Sequence, residues 1–329
     1  MKITNNLAIV TGCIVAMALG QPALAEIEET NLRLAHVVNE NDGFHAAATK
    51  FQELVAERSD GKITVEVFPN ATLGDERTLL EGMQIGTIDM GVITNGPVSN
   101  FLEDIAVFEM PFLFPSAEKA YEVLDGPIGQ ELLDRLAEVN LKGLAYAERG
   151  FRNLTNSERA INTPADLEGL KVRVMENPVY IDTFRELGAN AIPMAWTEAL
   201  TAMQQGTIDG QENPVGVVHS FQLNETQTNM TMTRHTYAPA IIVMSLSVWN
   251  DLSEEAQDIV TQAAQEAAEY ERQLNADLES KQLEELRAAG MTVIDDADLS
   301  AFSKVVVPVY DKYGQRFGDY LPRIQDALK

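Results

Sequence analysis

The sequence predicts an α/β fold of two lobes, with a ligand cleft between them and a long helix spanning both. Three observations carry that expectation. Short apolar runs of strand character alternate with amphipathic helical stretches. The segment Met83-Gln84-Ile85-Gly86-Thr87-Ile88-Asp89 recurs as Met203-Gln204-Gln205-Gly206-Thr207-Ile208-Asp209, with six of seven positions identical. Finally, Ser253 opens a helical pattern that runs to about Ala289. Its roughly 37 residues, on the order of 55 Å, exceed the length of one lobe.

Taken in order, residues 1–25 read as an export signal. Lys2 gives a positive start, Leu7 to Leu19 is largely apolar, and Ala23-Leu24-Ala25 is a small-x-small cleavage pattern. Val10-Thr11-Gly12-Cys13 looks like a lipoprotein box, but apolar sequence continues well beyond it. Cleavage after Ala25 removes the chain's one cysteine, so no disulfide or thiol nucleophile is expected in a periplasmic product. Buried strands are expected at Leu32–Val37, Ile63–Phe68, Met90–Thr94, Gly143–Ala147, Lys171–Val174 and Ala240–Ser247, with helices such as His45–Ser59 and Val179–Leu187 between them. Both copies of the repeat share one local pattern. A strand ends at proline (Pro69, Pro193), and an amphipathic helix follows with Leu79, Leu80 and Met83 or Ala199, Leu200 and Met203 on one face. A glycine then closes the helix and Ile-Asp opens the next strand. Open, mostly parallel sheets follow from this alternation, with crevices at the carboxyl ends of the strands. The expected division is 26–149 with about 237–275 as lobe I, and 150–236 with about 276–329 as lobe II.

The 329 residues include 24 basic and 50 acidic ones, a formal charge of −26. Nucleic acid and anionic lipid would both be repelled. After the leader no apolar run approaches the roughly 18 residues of a membrane span, so no stable membrane insertion is expected. Motifs for a nucleophile elbow, a zinc protease helix, a P-loop or a dinucleotide fold are missing from the sequence. His36, His45, His219 and His235 lack metal-ligand spacing, and Asp295-Asp296-Ala297-Asp298 lacks the glycine and glutamate of a calcium loop. The expectation is a binding protein without cofactor or metal, not an enzyme.

Arg173 is the most informative residue. It lies in the strand Leu170-Lys171-Val172-Arg173-Val174-Met175, where a guanidinium at the carboxyl end would face the crevice. It either forms a structural ion pair with Glu176 or Glu212, or waits for a ligand carboxylate. Arg152, in Gly150-Phe151-Arg152-Asn153, reads as a second such group or as an exposed loop residue. Asn213 precedes Pro214 and suits either a carboxylate with a neighbouring hydroxyl or an Asx-type turn. Trp196 opens a helix after Pro193 and is either core or the wall of a pocket.

Together, Leu73-Gly74-Asp75-Glu76-Arg77, Gly150-Phe151-Arg152-Asn153, Asp166-Leu167-Glu168-Gly169-Leu170-Lys171-Val172-Arg173 and Gly206-Thr207-Ile208-Asp209-Gly210-Gln211-Glu212-Asn213-Pro214 resemble the solute-binding proteins of TRAP (tripartite ATP-independent periplasmic) transporters, the DctP family. The likeness covers about Leu32 to Leu321. It implies a two-lobe periplasmic-binding-protein fold that closes on an organic acid and delivers it to the small and large subunits of a membrane permease. It further implies that Arg173 is the carboxylate clamp, with Asn213 as companion and Arg152 as a second arginine found in some members. Glu76, Thr94 and Asn95 match polar pocket positions on the facing lobe. His36 neighbours another, Trp196 matches an aromatic wall, and Glu176 sits beside the clamp. Val37 replaces a polar residue of the sialic-acid binders, which argues against that ligand. Two arginines with Glu76, Glu176, His36 and Asn95 favour a sugar acid such as a hexuronate. C4-dicarboxylates, ectoine and an ABC-type receptor are the alternatives, with an exported enzyme last.

Overall fold

A computed structural model describes residues 27–329; the expected leader, with Cys13, lies outside the described residues. The first half begins β1 (Thr30–Ala35), α1 (Gly43–Arg58), β2 (Ile63–Phe68), α2 (Glu76–Gln84), β3 (Met90–Thr94), α3 (Asn95–Val98). A 3₁₀ segment, Glu103–Glu109, and helices α4 (Ala117–Leu124) and α5 (Pro127–Arg135) lead into β4 (Leu141–Asn156). The second half repeats the order as β5 (Lys171–Val174), α6 (Pro178–Glu186), β6 (Asn190–Pro193), α7 (Trp196–Gln204), β7 (Gly210–Asn213), α8 (Val215–Ser220). Then come β8 (Asn229–Ser245), α9 (Leu246–Asp251), α10 (Glu254–Ala288), β9 (Thr292–Ile294), α11 (Leu299–Val305), α12 (Val307–Tyr313) and α13 (Tyr320–Ala327).

Sheet order follows from burial. Ile63 and Val65 of β2 are buried while Thr64 and Glu66 are exposed, the alternation of an edge strand, whereas every residue of β3 is buried. The order is β2-β1-β3-β8-β4-β7-β5-β6, with β9 added beside β8. In each half a central strand pairs in parallel with two neighbours, β1 with β2 and β3, and β5 with β6 and β7. Antiparallel pairs β3–β8 and β7–β4 join these units to two long strands.

The repeat is therefore structural. Gly86 and Gly206 have φ of +74° and +65°, which glycine adopts without strain. In each copy the glycine N–H reaches the methionine carbonyl (Gly86 to Met83, Gly206 to Met203), and the next residue reaches back to Gly82 or Ala202, a Schellman closure. The repeat aspartate then accepts the backbone N–H of the adjacent parallel strand, Arg33 to Asp89 and Lys171 to Asp209, both at 2.8 Å. One seven-residue segment thus ends a helix and registers a strand in both halves.

Two expectations need correction. The sheets are one mixed sheet, because β4 and β8 run through both halves as an antiparallel pair from Leu141↔Ser245 to Asn156↔Asn229. These strands are also far longer than the stretches expected at Gly143–Ala147 and Ala240–Ser247. Register shifts at Gly143/Ala145, Glu148/Gly150 and Arg152/Leu154 break the two-residue periodicity that marks a strand. Polar residues buried along them, among them Arg152, Asn153, Thr231 and His235, hide the rest. At the other end, Leu246 and Ser247 belong to α9 rather than to the strand.

Helix α10 is capped by Ser253, whose Oγ accepts from Ala256 N at 3.3 Å. Its buried face is mostly small (Ala256, Val260, Ala263, Ala264, Ala267, Ala268), which lets it lie close along α1, β4 and α8, and so along both halves. At the end of the chain α13 turns back onto the first half. Tyr320 and Arg323 bind the two oxygens of Glu131 on α5 at 2.8 and 2.7 Å.

Candidate functional site

A cleft lies between the halves at the carboxyl ends of the strands. The first half contributes Val37, Asp75, Glu76, Arg77, Pro97 and Asn100. Facing them are Arg173, Met175 and Glu176 at the end of β5, and Met194 to Thr197 leading into α7. Of the expected residues, Arg173, Glu76, Trp196 and Glu176 line this cleft. Val37, Asp75 and Asn100 were not singled out as contacts, although Asp75 lies in the quoted motif and caps α2 by accepting from Thr78 N at 2.8 Å.

Arg173 is 4% exposed and charged, yet among the described residues no carboxylate oxygen lies within 4.0 Å of it. Its Nε and Nη2 both donate to the carbonyl oxygen of Met194, at 2.9 and 2.7 Å. This fixes the guanidinium plane without neutralising it. The group lies 5.6 Å from the Trp196 ring, a cation–π arrangement. Trp196 is itself held edge-on by Phe221, and its Nε1 is buried with no hydrogen-bond partner. Burial lowers the pKa of Arg173 to about 10, against the pull of Glu212, Glu76 and Glu176. The side chain stays cationic at neutral pH, and its uncompensated charge favours an incoming anion.

Glu76, in the first turn of α2, faces this cation across the cleft. Its Oε1 accepts the N–H of Thr94 at 2.7 Å, which brings β3 and α2 together. Burial raises the pKa of Glu76, while Thr94, Arg149 and Arg173 work the other way. The rims meet nearby. Asn100 Nδ2 donates to the Glu176 carbonyl at 2.7 Å, and Asn177 Nδ2 to Gly96 O and Ser99 Oγ at 3.2 and 2.9 Å. On the other side Asn39 Nδ2 reaches Ser220 O at 3.0 Å, so the halves touch on both flanks of the cleft.

The other expected residues lie behind these walls. Arg152 is 1% exposed and forms a bidentate pair with Glu212: Nε donates to Oε2, and Nη2 donates to Oε1 at 2.8 Å and to the backbone oxygen at 2.6 Å. Glu212, weighed from the sequence as a partner for Arg173, belongs to Arg152. Burial opposes both charges, but the pairing holds the carboxyl below its ordinary range and the guanidinium above its own. His235 adds Nε2 to Glu212 at 3.2 Å and faces Thr233 Oγ1 with Nδ1 at 2.8 Å. Asn213 is fixed by Gln211 Oε1 at 2.6 Å.

Asn95 is fully buried, with Nδ2 turned to Ile105 O and Glu109 Oε1 and its Oδ1 left without a partner. His36 is also fully buried, its Nε2 3.1 Å from His45 Nδ1 and its own Nδ1 unpartnered. Burial, with His45 close by, lowers its pKa to about 4, so the ring is neutral. Sequence reasoning missed Arg149, whose Nη1 binds Asp42 Oδ1 at 2.6 Å, and Glu109. For Glu109 a signal was present: it is a lone acid within Val107-Phe108-Glu109-Met110-Pro111-Phe112. Among the described residues no group of three or more His, Cys, Asp or Glu could hold a metal ion, and no helix is long and apolar enough to cross a membrane.

Comparison with known proteins shows the family and the fold. Residues 34–316 match the family described as bacterial extracellular solute-binding protein, family 7, DctP. The 2,3-diketo-L-gulonate-binding periplasmic protein YiaO of Escherichia coli is 36% identical over 294 residues, 89% of this chain and 90% of that one. A TRAP periplasmic solute-binding protein from Polaromonas, solved with D-erythronate, superposes with a TM-score of 0.89 at 38% identity, covering 90% of this chain and 98% of that one. Its counterpart from Chromohalobacter salexigens, with bound D-glucuronate, gives 0.87 at 32% identity, covering 90% and 99%.

Proposed function

This chain belongs to bacterial extracellular solute-binding protein family 7, and from that premise we propose that it is the periplasmic receptor of a TRAP transporter for a sugar acid. The observation that carries the reading is Arg173, a buried, oriented cation with no carboxylate of its own, at a cleft whose opposite wall carries Glu76. Arg173 receives the ligand carboxylate, with Trp196 as the wall beneath it. Glu76 accepts from ligand hydroxyls. Asn213, Thr94, Asn95, His36 and Glu176 shape the pocket around these contacts, and Arg152 with Glu212 forms its rigid floor. Relatives that take D-erythronate, D-glucuronate and 2,3-diketo-L-gulonate support a polyhydroxylated monocarboxylate over a simple diacid.

Lobe I is 26–149 with about 237–275, and lobe II is 150–236 with about 276–329, whose last helix α13 packs back on α5 of lobe I. They hinge where β4 and β8 shift register. Ligand touching both lobes stabilises the closed state by its differential affinity. The closed receptor then docks on the two permease subunits, the ligand chemically unchanged. A thermal-shift screen tests this on processed protein that has been unfolded and refolded to strip carried ligand. The panel holds hexuronates, aldonates, C4-dicarboxylates, sialic acid and ectoine. A ligand at about 100 times its Kd adds roughly 2.7 kcal/mol, a shift of a few degrees. A shift confined to hydroxylated monocarboxylates is the expected result. A shift confined to diacids or ectoine would overturn the ligand assignment.

A further inference from the structure

Behind the cleft a chain of buried polar groups crosses from one half to the other. Glu109, 1% exposed, ends the 3₁₀ segment after α3. Its Oε1 accepts from Asn95 Nδ2 at 2.8 Å and its Oε2 from the hydroxyl of Tyr180 on α6. The Tyr180 ring lies 5.6 Å from the Arg152 guanidinium, which Glu212 holds in turn, with His235 completing the set from β8. Among the described residues no cation lies within 4.0 Å of the Glu109 carboxyl. Arg152 and Glu212 already balance each other, and burial keeps His235 neutral.

We propose that Glu109 is a positioning residue of the ligand site, one that takes up a proton from solvent when an anion enters the cleft and releases it when the anion leaves. This rests on the placement of the ligand carboxylate at Arg173. The physical reason is charge balance. Arg152 and Glu212 cancel, so Arg173 is the unmatched cation of the site; a carboxylate bound there cancels it and leaves an ionised Glu109 without a compensating charge. Burial raises the Glu109 pKa to about 7, so the group exchanges a proton near neutrality. The protonated form suits the same partners. Oε1 goes on accepting from Asn95, while the acid hydrogen on Oε2 is donated to the Tyr180 oxygen, whose own hydrogen turns out of that contact. Asn95 therefore keeps its amide turned inward and its Oδ1 free in both states.

The linkage has a fixed sign. A pKa raised by the bound anion makes affinity fall as pH rises through the value of the free protein, tenfold for each unit of difference. The test is calorimetric titration of the refolded, processed protein with D-glucuronate and D-galactonate between pH 6 and 9, in buffers of different ionisation enthalpy. Wild type should take up a fraction of one proton near pH 7 and lose about tenfold in affinity across the range. E109Q, which keeps both hydrogen bonds, should lose the proton uptake and the pH dependence. Glu109→Leu, which releases Asn95 and Tyr180, should bind more weakly at every pH. E148Q, at a second buried acid with pKa raised to about 7 by burial, should retain the wild-type profile. Proton uptake that is absent in wild type, persists in E109Q or vanishes in E148Q would overturn the assignment. A wild type that binds neither acid at any pH would instead remove the receptor reading beneath it.

Discussion

Arg152 and Arg173 are both buried arginines on strands of the same sheet, and they have opposite surroundings. Arg152 has a carboxylate, a backbone carbonyl and an aromatic ring around it, and its partner Glu212 is fully buried. Arg173 has one carbonyl and a ring, and lines the cleft between the halves. A buried charge that is matched holds a structure together, and one that is oriented but unmatched is set up for a ligand. Charge, residue type and strand position do not separate the two; the partner does.

The largest expected effect breaks the matched pair. Arg152→Met strands Glu212 without its cation and should cost about 3–5 kcal/mol of folding stability in urea denaturation. Arg152→Met combined with Glu212→Met should recover most of that loss, because both charges leave together. A single mutant as stable as wild type would erase the distinction. Next comes Arg173→Met, which should weaken sugar-acid binding by roughly 2–3 kcal/mol in calorimetry, the value of hydrogen bonds to a charged group. The unliganded protein should be no less stable, since the substitution removes an unmatched buried charge.

Acid sharpens the same contrast. Glu212 is held below the ordinary carboxylate range, so its contribution is fully present above the unfolded value of about 4.3 and is lost as pH falls through the folded value. Stability measured from pH 7 to pH 3 should fall along that limb in wild type and fall less steeply in Glu212→Gln. The smallest effect is expected from Trp196→Leu, which removes the ring beneath Arg173. It should cost about 0.5–2 kcal/mol of affinity while leaving the preference for hydroxylated acids intact. A reversal of preference would make Trp196 a reader of ligand identity rather than a wall.

Much of this was legible in the chain because the signals are local. The repeated Gly-Thr-Ile-Asp carries a Schellman closure and a strand anchor within seven residues, and Ser253 caps α10 from the position immediately before it. The strand Lys171–Val174 is short and regular, with Arg173 set between two buried valines. Non-local facts stayed hidden. Arg152 finds Glu212 across a separation of 60 residues, and only the β4–β7 pairing brings them together. Bulges broke the periodicity of β4 and β8, so a single mixed sheet read as two parallel ones. His36 and Asn95 were recognised as polar near the pocket, but which of their atoms is engaged and which is left open depends on His45, Ile105 and Glu109.

The most direct test of the central claim compares a charged ligand with its uncharged parent on two proteins. Calorimetry of ligand-stripped wild type and Arg173→Met with D-glucuronate and with D-glucose isolates the carboxylate. Wild type should bind the acid and ignore the neutral sugar, and the variant should lose the acid as well. An Arg173→Met protein that binds D-glucuronate as tightly as wild type would contradict the account.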